Sequence, residues 1–264
     1  MRVRAASVNP IDWKIRRGLL RSMMPITFPR TLGRDCAGES DGKLTAGVAD
    51  ARGEGTHAEY AVLPAAATAP VPAGLDAAAA ASLCVAGLSA WIPLMEAAKV
   101  ERGMRVLVHG GAGGVGSLAI QIARQLGAAV VATSSQGEYC RGLGAERVID
   151  YRTDDFREAG PFDAVLDTVG GETHVRSQQA LKPGGVLVAL SATPVPAHQP
   201  RADVRIERPM IQATRERLER IFEWAASGKL RPQVARQFRL DEAHAAYAAS
   251  EGGHGRGKIV LQIS

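Results

Sequence analysis

Apolar and polar positions between residues 100 and 190 repeat with two periods. Residues 106–108 form a short β-branched run. After a glycine-rich break, Val115, Leu118, Ala119, Ile122 and Leu126 fall on one helical face. The texture recurs downstream: 129–133, 148–150, 164–167 and 186–190 read as buried strands separated by helical patterns, and 204–206 adds a sixth. Strands alternating with helices imply right-handed βαβ units and a parallel sheet. Over 217–226, Leu218, Ile221, Phe222 and Ala225 share a face, which predicts an outer helix on that sheet.

The flanks read differently. Residues 1–38 are punctuated by Pro and Gly and predict short strands and loops. Residues 39–55 are polar and glycine-rich without a clear period, 56–63 alternate as a strand, and 64–74 resemble a linker. Asp76 is placed to cap a helix over the following alanines, and 88–98 predict a second helix. The tail returns to strand texture at 237–240 and 258–263, with a short helix from Asp241 between them.

The break after residue 108 satisfies G-x-G-x-x-G through Gly111, Gly113 and Gly116. In a strand–turn–helix these glycines permit the tight turn, backbone approach to a pyrophosphate and close helix–strand packing. Gly111, Gly113, Gly114, Val115 and Gly116 are therefore candidate phosphate-binding positions, at a helix start with unpaired N–H groups. The competing reading is a purely structural turn; the flanking strand and amphipathic helix favour the dinucleotide.

The chain has 264 residues and is 46% hydrophobic but only 5% aromatic, so its core is built of Ala, Val, Leu and Ile. Its net charge of +5 is spread among acids, which suits an anionic cofactor better than nucleic acid. Cys36, Cys84 and Cys140 are widely spaced and odd in number, which points to a reducing, cytoplasmic compartment and to small buried hydrophobes. No signal peptide and no apolar run of about 18 residues are expected, hence no membrane partner. His57, His109, His174, His198, His244 and His254 share no metal or triad spacing and are expected to be structural or solvated.

Several motifs occur in one order: Val-Asn-Pro-Ile-Asp at 8–12, Gly-Thr-His-Ala-Glu-Tyr at 55–60, Ala-Gly-Leu-Ser-Ala-Trp at 86–91, the turn at 109–116, Asp-Thr-Val-Gly-Gly at 167–171 and Gly-Lys-Ile-Val-Leu at 257–261. Together they resemble the medium-chain dehydrogenase/reductase superfamily, in its zinc-independent quinone oxidoreductase (zeta-crystallin-like) branch. The resemblance implies an α/β chain. A doubly wound Rossmann domain at 80–230 is inserted in a GroES-like β-rich catalytic domain at 1–79 and 231–264. That domain is expected to be shortened, because strands ahead of the Val8 segment and a turn between 38 and 55 are missing from the family pattern. It also implies NADPH-dependent reduction of a small quinone or enone, and a homodimer.

The resemblance also assigns roles. Asn9 and Lys14 sit in the segment that faces the nicotinamide, Lys14 as a donor to ribose or a developing oxyanion, with Asp12 supporting the loop. Ser89 is a candidate contact to nicotinamide or pyrophosphate. Asp167, Leu190 and Ser191 end strands at the ligand-binding edge of the sheet. Tyr60 is a candidate for the substrate pocket, against packing in a strand. Zinc members of the superfamily ligate metal near positions 10–12 and with a His where this chain has Arg34. A guanidinium cannot ligate Zn²⁺, and Cys84 alone is no site, so no metal is expected.

NAD-specific relatives carry an acid about 20 residues past the glycines. Here 132–135 read Ala-Thr-Ser-Ser and Glu138 falls in the next helix. Ser134 and Ser135 leave room for a 2′-phosphate, and by resemblance Tyr151 contacts it, with Arg152 beside it. NADPH is the expected cofactor. The alternatives are an NADP-linked alcohol or aldehyde oxidoreductase and a non-catalytic dinucleotide-binding redox sensor.

Overall fold

The chain opens with β1 (Arg2–Val8), which buries Val3 and Ala5 and leaves Arg2 exposed. Pro10 stands in the first turn of α1 (Pro10–Arg16), where its missing N–H is harmless, and Asp12 closes a capping box on Asn9. β2 (Asp35–Ser40), β3 (Lys43–Val48) and β4 (Thr68–Pro70) follow, each antiparallel to the one before. β3 and β4 occupy stretches that polarity had marked as aperiodic and linker-like. The computed structural model describes residues 1–23, 26–191, 193–253 and 255–264, so His254 lies outside the described residues.

The expected strand at 56–63 is absent. Only one bridge forms, between Arg2 and Tyr60, and Tyr60 and Val62 are exposed. Thr56 Oγ1 donates to the Asp35 carbonyl and His57 N–H to the Leu32 carbonyl, which hold the segment in turns. The alternation there is real but its Tyr60 and Val62 face solvent, so Tyr60 is not a packed strand tyrosine.

Asp76 Oδ1 accepts the Ala79 N–H and starts α2 (Ala77–Trp91). The two helices expected here are one. At Pro93, which has no N–H to donate, the ladder widens into a π-helical stretch, Ile92–Ala97, closed by the Ala98 N–H on the Pro93 carbonyl. The whole run Ala77–Ala97 is long and apolar enough to cross a membrane, contrary to the sequence expectation. Its most apolar window is 72% buried inside the protein, as a core helix is.

A second element series follows: β5 (Arg105–Val108), α3 (Gly114–Gln125), β6 (Ala129–Thr133), α4 (Gly137–Gly142), β7 (Arg147–Ile149), β8 (Phe162–Asp167), α5 (Glu172–Gln179), β9 (Leu181–Ala189) and β10 (Arg205–Glu207). All five neighbouring pairs are parallel, in the order β10-β9-β8-β5-β6-β7. The order reverses at β5, the strand that enters the glycine turn. Leu107, Val131, Phe162, Val165 and Leu187 share one core cluster of this sheet. This is the doubly wound architecture expected.

The chain then runs through α6 (Arg215–Ala226), β11 (Val234–Arg239), α7 (Ala243–Glu251) and β12 (Lys258–Gln262). β12 pairs with β1, which completes a second sheet, β11-β12-β1-β2-β3-β4. The helix α6 is not an outer helix of the parallel sheet. Its apolar face packs on β4, and Ile221 lies against Gly87, where a Cβ would come within 3.0 Å of it. The chain accordingly divides into Met1–Leu88 with Gln212–Ser264, and Ser89–Ile211, which moves the expected boundaries from 79/80 and 230/231.

Candidate active site

The Ser89–Ile211 unit carries the glycine turn at the C-terminal end of β5. Gly113 is the N-cap of α3 and no side chain caps it. The first-turn N–H groups of Gly114, Val115 and Gly116 thus have no acceptor within the helix. A Cβ on Gly116 would lie 2.2 Å from the Gly110 carbonyl oxygen, so only glycine lets α3 start this close to the turn. Gly111 packs against Ala132 on β6, where a Cβ would stand 2.8 Å from the alanine methyl. Behind the turn, buried His109 bridges Thr133 Oγ1 (3.0 Å) and Ser177 Oγ (2.9 Å). Burial pushes it down to about 4, so it is a neutral structural ring.

The other expected cofactor positions, Ser89 on α2 apart, follow strands of the same sheet. Ser134 follows β6, is buried, and its Oγ accepts the Gln136 N–H at 3.0 Å; Ser135 is half-buried. Glu138 is exposed in the first turn of α4, as expected. Tyr151 follows β7 and is half exposed. Arg152 is tied to Asp150 at 2.8 and 2.5 Å, which holds that carboxyl down at about 2. Asp167 ends β8 fully buried. Its Oδ1 accepts the Val169 and Gly170 N–H groups at 2.9 and 2.8 Å, and its Oδ2 faces His174 Nδ1 at 3.4 Å. Its carboxylate therefore shapes the turn after β8 and offers no surface to a ligand. Leu190 and Ser191 follow β9 and are half-buried, Ser191 Oγ donating to Thr193. Ser89 sits buried on α2.

The other unit carries a buried polar centre. Asn9 is 4% exposed and its amide is fully engaged: Nδ2 donates to Asp35 Oδ1 (2.8 Å), and Oδ1 accepts from Lys258 Nζ (2.7 Å). Lys258 also donates to the Val8 carbonyl at 2.7 Å. Ser7 Oγ and the Val85 N–H complete the shell of Asp35 at 2.6 and 2.8 Å. Asn9 thus links a buried lysine to a buried aspartate. Burial lowers the Lys258 amine, with Asp35 and Asp12 opposing. Lys14 stands apart on α1, half-buried, its ammonium 5.6 Å from the Trp13 ring centre.

Asp12 adjoins this centre. Its Oδ2 accepts the Asn9 N–H at 2.7 Å while the buried Oδ1 has no partner. Burial first, and Asp35 next, push its carboxyl up to about 7. His57 Nδ1 lies 2.6 Å from Tyr247 Oη, and Nε2 lies 3.3 Å from the Ser7 carbonyl. Burial pushes His57 down to about 4. Sequence reading took Asn9 from this centre, and Asp12 only as loop support. Asp35, His57, Tyr247 and Lys258 escaped it because their partners lie 26 to 249 residues away. The signal present was a lone Lys opening the apolar run of β12. Among the described residues, no three His, Cys, Asp or Glu converge as metal ligands.

A zinc-binding dehydrogenase family model matches residues 143–261. The trans-enoyl reductase pgmF of Aspergillus terreus is 31% identical over 304 residues, spanning all of this chain and 85% of that protein. The structure of the quinone oxidoreductase from Coxiella burnetii superimposes with a TM-score of 0.90 at 33% identity, covering 100% of this chain and 89% of the other. The Escherichia coli quinone oxidoreductase, solved complexed with NADPH, gives 0.88 at 26% identity, covering 99% and 90%. With its parallel sheet switching at the glycine turn and likeness across its whole length, this chain belongs to the medium-chain dehydrogenase/reductase superfamily of oxidoreductases, in its quinone oxidoreductase branch.

Proposed function

We propose that the protein is an NADPH-dependent oxidoreductase that reduces a quinone or an α,β-unsaturated carbonyl without zinc. The observation that carries this is the uncapped glycine turn of α3, beside a β6 end that offers hydroxyls and no carboxylate. Such a turn suits a pyrophosphate: free N–H groups, a favourable dipole and no Cβ in the way. Ser134, Ser135 and Tyr151 are the groups for the 2′-phosphate. When bound, NADPH supplies the hydride. Without a Lewis acid, an acceptor already activated by conjugation is the fitting partner, since its developing oxyanion needs only hydrogen-bond donors or a proton. The relatives named as quinone oxidoreductase and enoyl reductase support this class.

The assembly in this proposal is a homodimer acting on small molecules in a reducing compartment. Asn9 acts as part of a rigid buried network, because both ends of its amide are engaged within the protein. The test is NADPH oxidation against a panel of quinones, enones, aldehydes and alcohols, beside direct NADPH titration. Turnover with quinones or enones is expected. Binding without turnover on any acceptor would point instead to a dinucleotide sensor.

A further inference from the structure

Two N–H groups of the glycine turn point back into the protein. Gly110 N–H reaches Thr133 Oγ1 at 3.3 Å, and Gly111 N–H reaches the Thr133 carbonyl at 3.0 Å. One residue at the end of β6 therefore holds the turn that follows β5. Its hydroxyl leads on to His109, with Oγ1 3.0 Å from Nδ1. The other ring nitrogen, Nε2, lies 2.9 Å from Ser177 Oγ on α5. His109, Thr133 and Ser177 are all buried. The backbone of His109 is tied to the end of β8 as well. Its N–H donates to the Leu166 carbonyl at 3.0 Å, and its carbonyl accepts the Thr168 hydroxyl at 2.8 Å. Phe156 stands edge-on to the ring at 4.6 Å and sets its plane.

The direction of every hydrogen along this line is determined by its far end. Ser177 Oγ is 2.6 Å from the Thr173 carbonyl oxygen, a contact that needs a hydrogen, and only the serine has one. Ser177 Oγ must then accept from His109, which places the ring hydrogen on Nε2. Nδ1 is left bare and accepts the Thr133 O–H. The Thr133 oxygen keeps a lone pair for the Gly110 N–H. A charged ring would carry a hydrogen on Nδ1 too and would leave the Thr133 hydrogen without its acceptor. Burial keeps the ring neutral against that outcome.

Gly110 in turn seats the start of α3. Its carbonyl accepts the Gly113 N–H at 2.9 Å and lies where a Cβ on Gly116 would fall. On the other side of Thr133, Ser134 begins the turn that meets the 2′-phosphate in the proposed function. NADPH joins its pyrophosphate and its 2′-phosphate through one ribose, so their two sites must keep a set distance. Thr133 stands between those sites, and its hydroxyl is held by His109. We propose that His109 is a positioning residue for NADPH: through the Thr133 hydroxyl it locks the glycine turn to the β6 end and keeps the two phosphate sites in register. This rests on the 2′-phosphate placement proposed above. The ring is shut behind the turn and acts on the cofactor only through Thr133.

Thr133→Val keeps the shape and loses the hydroxyl, whereas Thr133→Ser keeps the hydroxyl. Thr133→Val should raise the NADPH dissociation constant about ten-fold, the size of one lost hydrogen bond. Thr133→Ser should stay within about two-fold of wild type. NADH has no 2′-phosphate to keep in register, so its dissociation constant should rise less in Thr133→Val. His109→Gln reaches only one of the two hydroxyls and should also weaken NADPH about ten-fold, but in the Thr133→Val background it should add less than about two-fold. Nitrogen NMR of labelled histidine, assigned by the signal lost in His109→Gln, should show a neutral ring with its hydrogen on Nε2 at about pH 7. Circular dichroism checks folding, and the Thr133 pair with the ring tautomer carries the test if His109→Gln does not fold. Full NADPH affinity in Thr133→Val, equal losses for NADPH and NADH, additive effects in the double variant, or a hydrogen on Nδ1 each overturns the positioning role alone. Failure of the wild type to bind NADPH overturns the proposed function and this role with it.

Discussion

Asp12 and His57 are displaced from their ordinary values in directions that favour the uncharged form of each, and this sets opposite slopes on stability. The folded carboxyl at about 7 lies above its ordinary 3.8, so between these values the folded chain holds a proton the unfolded chain has lost. Its contribution is complete below 3.8 and fades as pH rises through 7. The folded imidazole at about 4 lies below its ordinary 6.5, so its contribution is complete above 6.5 and is lost as pH falls towards 4. Asp12→Asn removes the first slope only. Urea unfolding should show the stability of wild type relative to Asp12→Asn declining from pH 4.5 to 7.5. A constant difference would mean that Asp12 is ionised in the folded protein. Gly113 gives a second test. Its φ of −71° suits any residue, and a Cβ would stand 3.3 Å from the Gly110 carbonyl oxygen. Gly113→Val should therefore fold, with a loss of about 1 kcal/mol at the N-cap, while the branched side chain covers the open amides. NADPH affinity should fall at least about ten-fold, or roughly 1.4 kcal/mol. Unchanged affinity in a fluorescence titration would mean that this turn is not the phosphate site.

The turn after β6 selects the dinucleotide in the proposed function. Ser134 Oγ accepts the Gln136 N–H, and an Asp at that position can accept the same bond, so Ser134→Asp changes charge more than shape. Wild type should prefer NADPH by about ten-fold in kcat/KM at low salt, with the preference shrinking as salt rises. Ser134→Asp should reverse it; equal use of NADH by wild type would contradict the assignment. This turn was legible in sequence because strand, hydroxyls and helix are contiguous. The parallel sheet was legible for the same reason, each βα unit carrying its own period. What escaped was built from distant partners. β3 reads as polar because its inner residues are only Ala46, Gly47 and Val48, and it is a strand because β2 pairs with it. The 56–63 segment has the right alternation but meets its neighbour β1 only around Tyr60, at one bridge to Arg2. In α6 the apolar face was correctly located, but periodicity gives a face without naming what covers it; that is β4, some 150 residues earlier. Lys258 on β12 and Asp35 on β2 are linked through Asn9 from either side of β1, and nothing local marks either as buried.

At the scale of the whole molecule the question is metal. The family model that matches residues 143–261 is described as zinc-binding, yet the match does not reach Arg34 or the Pro10–Asp12 turn. The chemistry of those groups supports the zinc-free proposal. Arg34 offers only N–H donors where zinc members of the superfamily offer an imidazole lone pair, and burial with nearby carboxylates governs it rather than a cation. Asp12 is pushed towards its neutral acid, a poor ligand that would have to release its proton first. Cys84 is fully buried, its thiol donates to the Ala80 carbonyl, and burial raises it well above the ordinary thiol value, so it is not a thiolate. Lys258 Nζ is already engaged with the Val8 carbonyl and Asn9 Oδ1. These groups fit the proposed zinc-free reduction better than a Lewis-acid centre. The purified protein should therefore carry far less than one zinc per chain by elemental analysis, and should keep its rate with quinones and enones in excess EDTA. Adding Zn²⁺ should neither raise that rate nor confer oxidation of simple alcohols. About one tightly held zinc per chain, with activity lost on chelation and restored by the metal, would overturn the zinc-free assignment and favour an alcohol oxidoreductase.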